Sequence, residues 1–393
     1  MQLDSYDQAL LNGESGETKQ KMMEILVSLG KIYNAERLIE VKSVQVSGAS
    51  YKTIGDTGLE WLSSLSGKTV VPSYLNPIGM PRDGWEELGI PKDFAQKQLE
   101  VNAAYAKLGI RLSCTCTPYY YTLIERGDHL AWSESSAVIY ANSVLGARTN
   151  REGGPSALAA ALTGKTPEYG MHIVKNRLPQ VDFVLSDPEA AKSWTPAEYG
   201  ALGIIAGAVA GDKIPLFKGI RPKSSMLKSM GAAMAASGAV SLFHVEDITP
   251  EARFPFFKKH FEEDEREEIV IENSEIAELF SDLEPDSVAV GCPHVSTEEL
   301  SELAGLLEGK KVKLPFYVFA AADSMKGNEE LYKIIAASGA KIVHDTCMIV
   351  SPLLEGQTVM TNSGKAFTYL PGMCKAIPRL GTIADCVKVG CGL

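Results

Sequence analysis

Apolar residues recur at Met22, Met23, Ile25, Leu26, Leu29 and Ile32, the three-and-four spacing of a single helical face. That pattern predicts a helix over "GETKQKMMEILVSLGKIYNA". Next, "LIEVKSVQVSGASY" reads as a strand ending in a turn of small residues, and "TGLEWLSSL" as a short helix. Beyond residue 66 short apolar runs alternate with longer amphipathic ones. "KTVVPSYL" (68–75) and "GIRLSCTC" (109–116) read as strands, with a helix over "AQKQLEVNAAYAKLG" (95–109) between them. "SAVIYANSVLG" (136–146) reads as a helix opening into a loop, "HIVKN" and "DFVLS" as a strand pair, and "ALGIIAGAVAG" (201–211) as a buried strand or helix. The second half repeats the unit more cleanly, with strands expected at "AVSLFHV" (239–245), "SVAVG" (287–291), "FYVFAA" (316–321), "KIVHD" (341–345) and "TVMTN" (358–362). The intervening helices "STEELSELAGLLEG" and "NEELYKIIAASG" open on Ser or Asn and close near Gly. Strands alternating with helices predict an α/β fold with a mostly parallel sheet.

At 393 residues the chain is too long for one simple core. The pattern divides it into an N-terminal helical segment with the first strand (1–66), an α/β region (67–220) and a second α/β region (221–393). Net charge is −11, from 38 basic and 49 acidic residues. That balance disfavours nucleic acid as a main partner, because phosphate backbones require a basic surface. A local basic pocket for a small anion stays compatible with it. The charge-rich run "HFEEDEREEIVIE" (260–272) reads as a solvated surface segment. No apolar run reaches the roughly 18 residues of a membrane span, and the N-terminus has no basic stretch followed by an apolar one, as a signal peptide would. A cytoplasmic protein is expected.

In that compartment the seven cysteines, at 114, 116, 292, 347, 374, 386 and 391, are expected to be free thiols. There is no CxxC pair, and no GxGxxG, Walker A, HExxH or GxSxG motif. Ligands of open parallel sheets bind beyond the carboxyl ends of strands. Cys116 follows "GIRLS", Cys292 follows "SVAVG" and Cys347 follows "KIVHD", so three thiols from three strand exits could face one crevice. Three thiolates on an iron–sulfur cluster would leave one iron open to a substrate hydroxyl. The competing reading is that each cysteine is a small buried apolar residue. Cys114, two residues from Cys116, would share its strand face. His172, His294 and His344 are candidates for acid–base work or for hydrogen-bonded structure. Arg148 and Arg151 flank "TN" in a loop near glycines, an arrangement suited to a carboxylate or phosphate, or to surface salt bridges. Asn362, Ser363, Gly364 and Lys365 lie just past a strand, where an anion could also be met.

Taken together, "VSGASYKTIGD", "LNPIGM", "CTCTPYY", "SESSAVIYANSVLGARTNREGGPS", "GCPH", "HDTC" and "TNSGKAFTY" resemble the large subunit of the aconitase X family. These stretches extend from residue 46 to residue 369, and the long "ANSVLGARTNREGG" run is the most specific. The resemblance implies an aconitase-like α/β fold, with three α/β/α layers or domains around a central [4Fe-4S] cluster whose ligands are Cys116, Cys292 and Cys347. It implies substrate contacts at Gly48, Ala49, Ser50, Asn76, Pro77, Glu134, Ser135 and Lys365, with Arg148 and Arg151 as further candidates. Two activities are known in the family, dehydration of (R)-5-phosphomevalonate to trans-anhydromevalonate 5-phosphate and dehydration of cis-3-hydroxy-L-proline. "LNPIGM" and the chain length resemble the first type. On that reading a separate small, swivelling-domain subunit completes the enzyme as a heterodimer and supplies a serine as catalytic base. The reading from a different class is a non-catalytic anion-binding subunit whose cysteines only pack.

Overall fold

The computed structural model describes residues 1–393. Three parallel sheets organise the chain, the third with a separate core on each face. The first has the strand Ser43–Val46 at its centre, flanked by Ser73–Leu75 and Leu130–Trp132. Around it pack Met22, Met23 and Leu26 of the helix Glu17–Ile32, together with the alanine-rich helix Gly154–Thr163. The second sheet runs His244–Val245, Pro215–Phe217, Val181–Leu185, Glu268–Ile271. The third runs Lys341–His344, Phe316–Ala320, Ser287–Val290, Thr358–Thr361, Ile377–Leu380. A short antiparallel pair joins Leu38–Glu40 to Lys165–Pro167.

The third sheet shows why its inner strands are largely apolar runs. Val288, Val290, Val318 and Ala320 face one core, while Ala289, Phe319, Val343 and Val359 face another. Both faces are covered by helices, as parallel sheets require. Strand order reverses at Ser287–Val290: the chain first adds Phe316–Ala320 and Lys341–His344 on one side, then Thr358–Thr361 and Ile377–Leu380 on the other. Such a switch point opens a crevice beyond the strand ends. Gly291–Cys292 and Asn362–Ser363 leave the sheet there.

Several expected elements differ. The divisions at 66/67 and 220/221 cut through sheets, since Ser43–Val46 pairs with Ser73–Leu75, and Pro215–Phe217 pairs with His244–Val245. "GIRLSCTC" is not a strand. It touches the first sheet through one bridge, Tyr74 to Arg111, and Cys114 then takes a left-handed φ of 43° that ends any extended run. "HIVKN" forms 3-10 turns, so "DFVLS" pairs elsewhere. "ALGIIAGAVAG" is helical, within Pro196–Ala210. There Gly203 and Gly207 let the helix Ser224–Ser237 approach: a Cβ at Gly203 would lie 2.3 Å from the Met230 carbonyl oxygen. The run 260–272 is surface-exposed as expected for much of its length, but Glu268–Ile271 is an edge strand. No helix is long and apolar enough to cross a membrane.

Candidate active site

The cysteine loops are built by backbone pairing between distant segments. Ile78 N–H donates to the Asp345 carbonyl at 2.9 Å, and Cys347 N–H donates to the Ile78 carbonyl at 2.9 Å. The "LNPIGM" loop is therefore the template on which "HDTC" is laid. Asp345 adopts φ 60°, a conformation that Asp tolerates better than most residues. Its carboxylate is held by Arg82 Nε at 2.7 Å and by Ala322 N–H at 2.9 Å. In the next loop His294 N–H donates to Cys116 Sγ at 3.1 Å, and His294 Nε2 lies 2.9 Å from the Thr346 carbonyl. One residue thus ties "CTPY", "GCPH" and "HDTC" together. Ser363 Oγ donates to the Cys292 carbonyl and accepts from Ala366 N–H, so the cap of the helix Gly364–Cys374 also fixes the Cys292 loop.

Cys116, Cys292 and Cys347 interact electrostatically with one another and with the Lys365 ammonium. Burial pushes the Cys116 thiol up to about 12 and raises those of Cys292 and Cys347. No set of His, Cys, Asp and Glu side chains is gathered tightly enough for a single metal ion. Cys114 does not share this crevice. It packs in the first core, and its thiol is raised by burial and by nearby Asp345. The expectation that it would sit on one strand face with Cys116 is corrected by the left-handed turn. Cys374, Cys386 and Cys391 are buried in the cores of the third sheet. Of the histidines, His294 is a buried brace held neutral, its imidazole pushed down to about 4 by burial. His344 stacks on Tyr332, and His172 sits against His129, their Nδ1 atoms 2.9 Å apart.

Beside the thiols lies an ion pair. The Lys365 ammonium binds the Glu134 carboxylate and reaches Ser136 Oγ at 3.2 Å. Glu134 also accepts from Asn76 Nδ2 at 2.7 Å and from Ser135 Oγ at 3.3 Å. Gln45 supports Asn76, donating to its Oδ1 at 3.4 Å and to the Thr115 carbonyl at 2.9 Å. Burial alone would raise the Glu134 carboxyl, but Lys365, Asn76 and Arg151 hold it down at about 2. The same pairing raises Lys365 despite burial. Lys365 is therefore a fixed, compensated cation facing the thiols.

A cavity of about 330 Å3 opens over this pair, lined among others by Ser47, Glu134, Ser135, Arg151, Cys347 and Lys365. Arg151 is exposed and forms no salt bridge; its one polar contact is to the Ala235 carbonyl at 3.4 Å. It is the uncompensated cation of the cavity, a role the residue types alone could not distinguish from that of Lys365. Arg148 lies elsewhere, in a second pocket with Arg126 and Phe254. The segment explains the separation. Residues 148–152 run beside 128–132, with bridges His129 to Arg148 and Trp132 to Arg151, so two residues an odd number apart point to opposite sides.

The turn Gly48, Ala49 and Ser50 adjoins the cavity through Ser47 and Val350. Gly48 has φ 79°, and Ser50 Oγ donates to the Val350 carbonyl at 3.2 Å. Gln98 locks the turn, donating to the Ala49 carbonyl at 2.7 Å and accepting from Tyr51 N–H and Gly79 N–H. Pro77 lies between Asn76 and the Ile78 bridge. Glu152, which had not drawn notice, is a buried carboxyl on the cavity wall. It accepts from Thr166 Oγ1 at 2.9 Å and from Ser156 Oγ, and burial raises it. Its place beside Arg151 in "TNREGG" was the only signal in the sequence.

Family models for the aconitase X first, second and third domains match residues 1–175, 172–281 and 285–392. The chain is 50% identical to the phosphomevalonate dehydratase large subunit of Methanosarcina mazei, over 100% of this chain and 98% of that protein. It is 33% identical to the cis-3-hydroxy-L-proline dehydratase of Pseudomonas aeruginosa, over 99% of this chain but 70% of that longer protein. The crystal structure of Thermococcus kodakaraensis aconitase X, in its holo form, superposes with a TM-score of 0.89 at 42% identity, covering 99% of each chain.

Proposed function

The chain belongs to the aconitase X family, and from that premise we propose that it is the large subunit of a phosphomevalonate dehydratase. This hydro-lyase takes (R)-5-phosphomevalonate to trans-anhydromevalonate 5-phosphate with loss of water. The observation that carries the reading is a cavity lined by Cys347, the buried Glu134–Lys365 pair and an unpaired Arg151, with the Lys365 ammonium acting electrostatically on Cys116 and Cys292 as well as on Cys347.

Cys116, Cys292 and Cys347 would hold the [4Fe-4S] cluster. Their chemistry fits. A cluster would let each thiolate bind a different iron, and the three thiols act on one another and on the Lys365 ammonium electrostatically. Lys365 supplies a positive counter-charge to all three. When bound, the cluster supplies a Lewis-acidic iron that polarises the departing hydroxyl.

The chain's own residues do the rest. Arg151 offers a guanidinium with free donors to an anionic group of the substrate. Ser47 and Ser135 add neutral hydroxyls on the wall. Glu134, fixed by Asn76 and Lys365, accepts hydrogen bonds and orients a substrate hydroxyl. It is not the base, because a carboxyl held at about 2 has little proton affinity at neutral pH. We place the base on the small partner subunit, which the relatives' designation as large subunits supports. The same reading makes the enzyme a cytoplasmic heterodimer.

An unpaired guanidinium favours a substrate with an excess of negative charge over a zwitterion, which supports the phosphomevalonate reading over the hydroxyproline one. Assay of the two-subunit complex with both compounds tests it. Turnover of (R)-5-phosphomevalonate is expected. Turnover of cis-3-hydroxy-L-proline alone would move the protein to the other activity.

A further inference from the structure

The first arginine of "ARTNREGG" points to a different site. Arg148 lines a pocket of about 390 Å3 with Arg126, Glu251, Phe254, Phe256 and Phe257. Neither Arg126 nor Arg148 forms a salt bridge, and the buried Arg148 Nε has no acceptor. The one carboxylate of the pocket is already committed: Glu251 takes both its oxygens to Arg177 Nε, at 2.8 and 3.0 Å. Two positive charges are therefore left over, in a chain whose net charge is −11. Arg126 sits over Phe254, its guanidinium carbon 3.7 Å from the ring centroid. That contact holds the cation at the rim without neutralising it. Gly146 leaves the room this needs. Its φ is 69°, and a Cβ there would come within 2.8 Å of Arg126 Cγ. Phe254 and Phe256 are exposed at the same rim.

We propose that this pocket is a second anion site, separate from the thiol-lined cavity, that takes a phosphate-bearing ligand with a small apolar or aromatic body. Two guanidiniums match the two charges of a phosphate dianion better than the single charge of a carboxylate. The phenylalanines supply the surface for the body of the ligand. The inference stands independently of the reaction assigned to the other cavity.

Calorimetric titration of the full chain, and of its complex with the small subunit, tests it with phenyl phosphate, inorganic phosphate and benzoate. Phenyl phosphate should bind both preparations saturably, and inorganic phosphate and benzoate each roughly tenfold more weakly. Arg126→Gln and Arg148→Gln should each weaken phenyl phosphate by roughly tenfold or more, the cost of a lost charged contact. Arg126 is surface-exposed, so its variant keeps the test open if Arg148→Gln misfolds. Arg151→Gln, in the other cavity, should leave this binding unchanged. Absence of saturable binding, indifference to Arg126→Gln, or loss on Arg151→Gln would overturn the site. Binding to the chain but not to the complex would show instead that the small subunit covers this surface, and would overturn it too.

Discussion

Glu134→Gln removes the charge that compensates Lys365. The two partners are not equally dependent on each other. Without Lys365, Glu134 keeps the donors of Asn76 at 2.7 Å and Ser135 at 3.3 Å, with Arg151 nearby. Without the Glu134 charge, Lys365 keeps only the Ser136 hydroxyl at 3.2 Å and a wall of protonated thiols. Its side chain is 6% exposed, so water cannot make up the loss. Breaking a buried pair from one side costs about 3–5 kcal/mol. At roughly 2–4 °C per kcal/mol for folding units of 150–250 residues, the cluster-free Glu134→Gln chain should melt about 6–20 °C lower. Lys365→Met should cost less, and the double variant less than the sum of the two, since it leaves no unpaired charge. Differential scanning calorimetry of the four cluster-free proteins reads this directly. Two results would refute the reasoning: strictly additive single effects, or Lys365→Met costing more than Glu134→Gln.

Single Cys→Ser changes at Cys116, Cys292 or Cys347 should abolish iron and sulfide content and activity together, whereas changes at Cys374, Cys386 or Cys391 should spare the iron; iron retained by Cys347→Ser would break the ligand assignment. Arg151→Gln should raise KM for the phosphorylated substrate about ten- to a hundredfold, the equivalent of about 1.5–3 kcal/mol, with iron content unchanged. A normal KM would remove Arg151 from the anion contact. Burial, together with His129, Arg177 and Arg148, pushes the His172 imidazole down to about 3 from 6.5. Because the folded value is depressed, the unfolded chain binds the proton first. The stability His172 permits is complete above pH 6.5 and is lost as pH falls from there towards 3. Urea midpoints of the wild type should fall across that window and those of His172→Gln should fall less; parallel curves would contradict it.

The inner strands of the third sheet could be read because Ser287–Val290 and Phe316–Ala320 are largely apolar runs covered on both faces, whereas Ile377–Leu380, which carries a proline and an arginine, gave no strand signal. "SVAVG" and "KIVHD" therefore placed Cys292 and Cys347 at strand exits without any knowledge of pairing. Cys116 lies beside the Cys292 loop, but not because its segment is a strand. Its segment looks apolar enough for a strand, yet the turn at Cys114 and the bond from His294 N–H set its direction. The alternation that separates Arg148 from Arg151 depended on knowing that 148–152 is extended beside 128–132, and "ARTNREGG" carries no strand periodicity. The neutralisation of Lys365 was invisible for a different reason. Its partner is 231 residues away, and no local pattern encodes a contact of that span. The sheets cross the expected divisions for the same reason, because parallel pairs such as Ser43–Val46 with Leu130–Trp132 join segments that the sequence keeps far apart.

The central claim is that this chain carries the cluster-holding, anion-binding half of a dehydratase. Its most direct measurement is the product formed when the anaerobically purified complex with the small subunit is given (R)-5-phosphomevalonate. The account predicts trans-anhydromevalonate 5-phosphate in proportion to bound iron, with no product from the Cys292→Ser complex or from either subunit alone. Equal product formation by wild-type and iron-free Cys292→Ser complexes would contradict it.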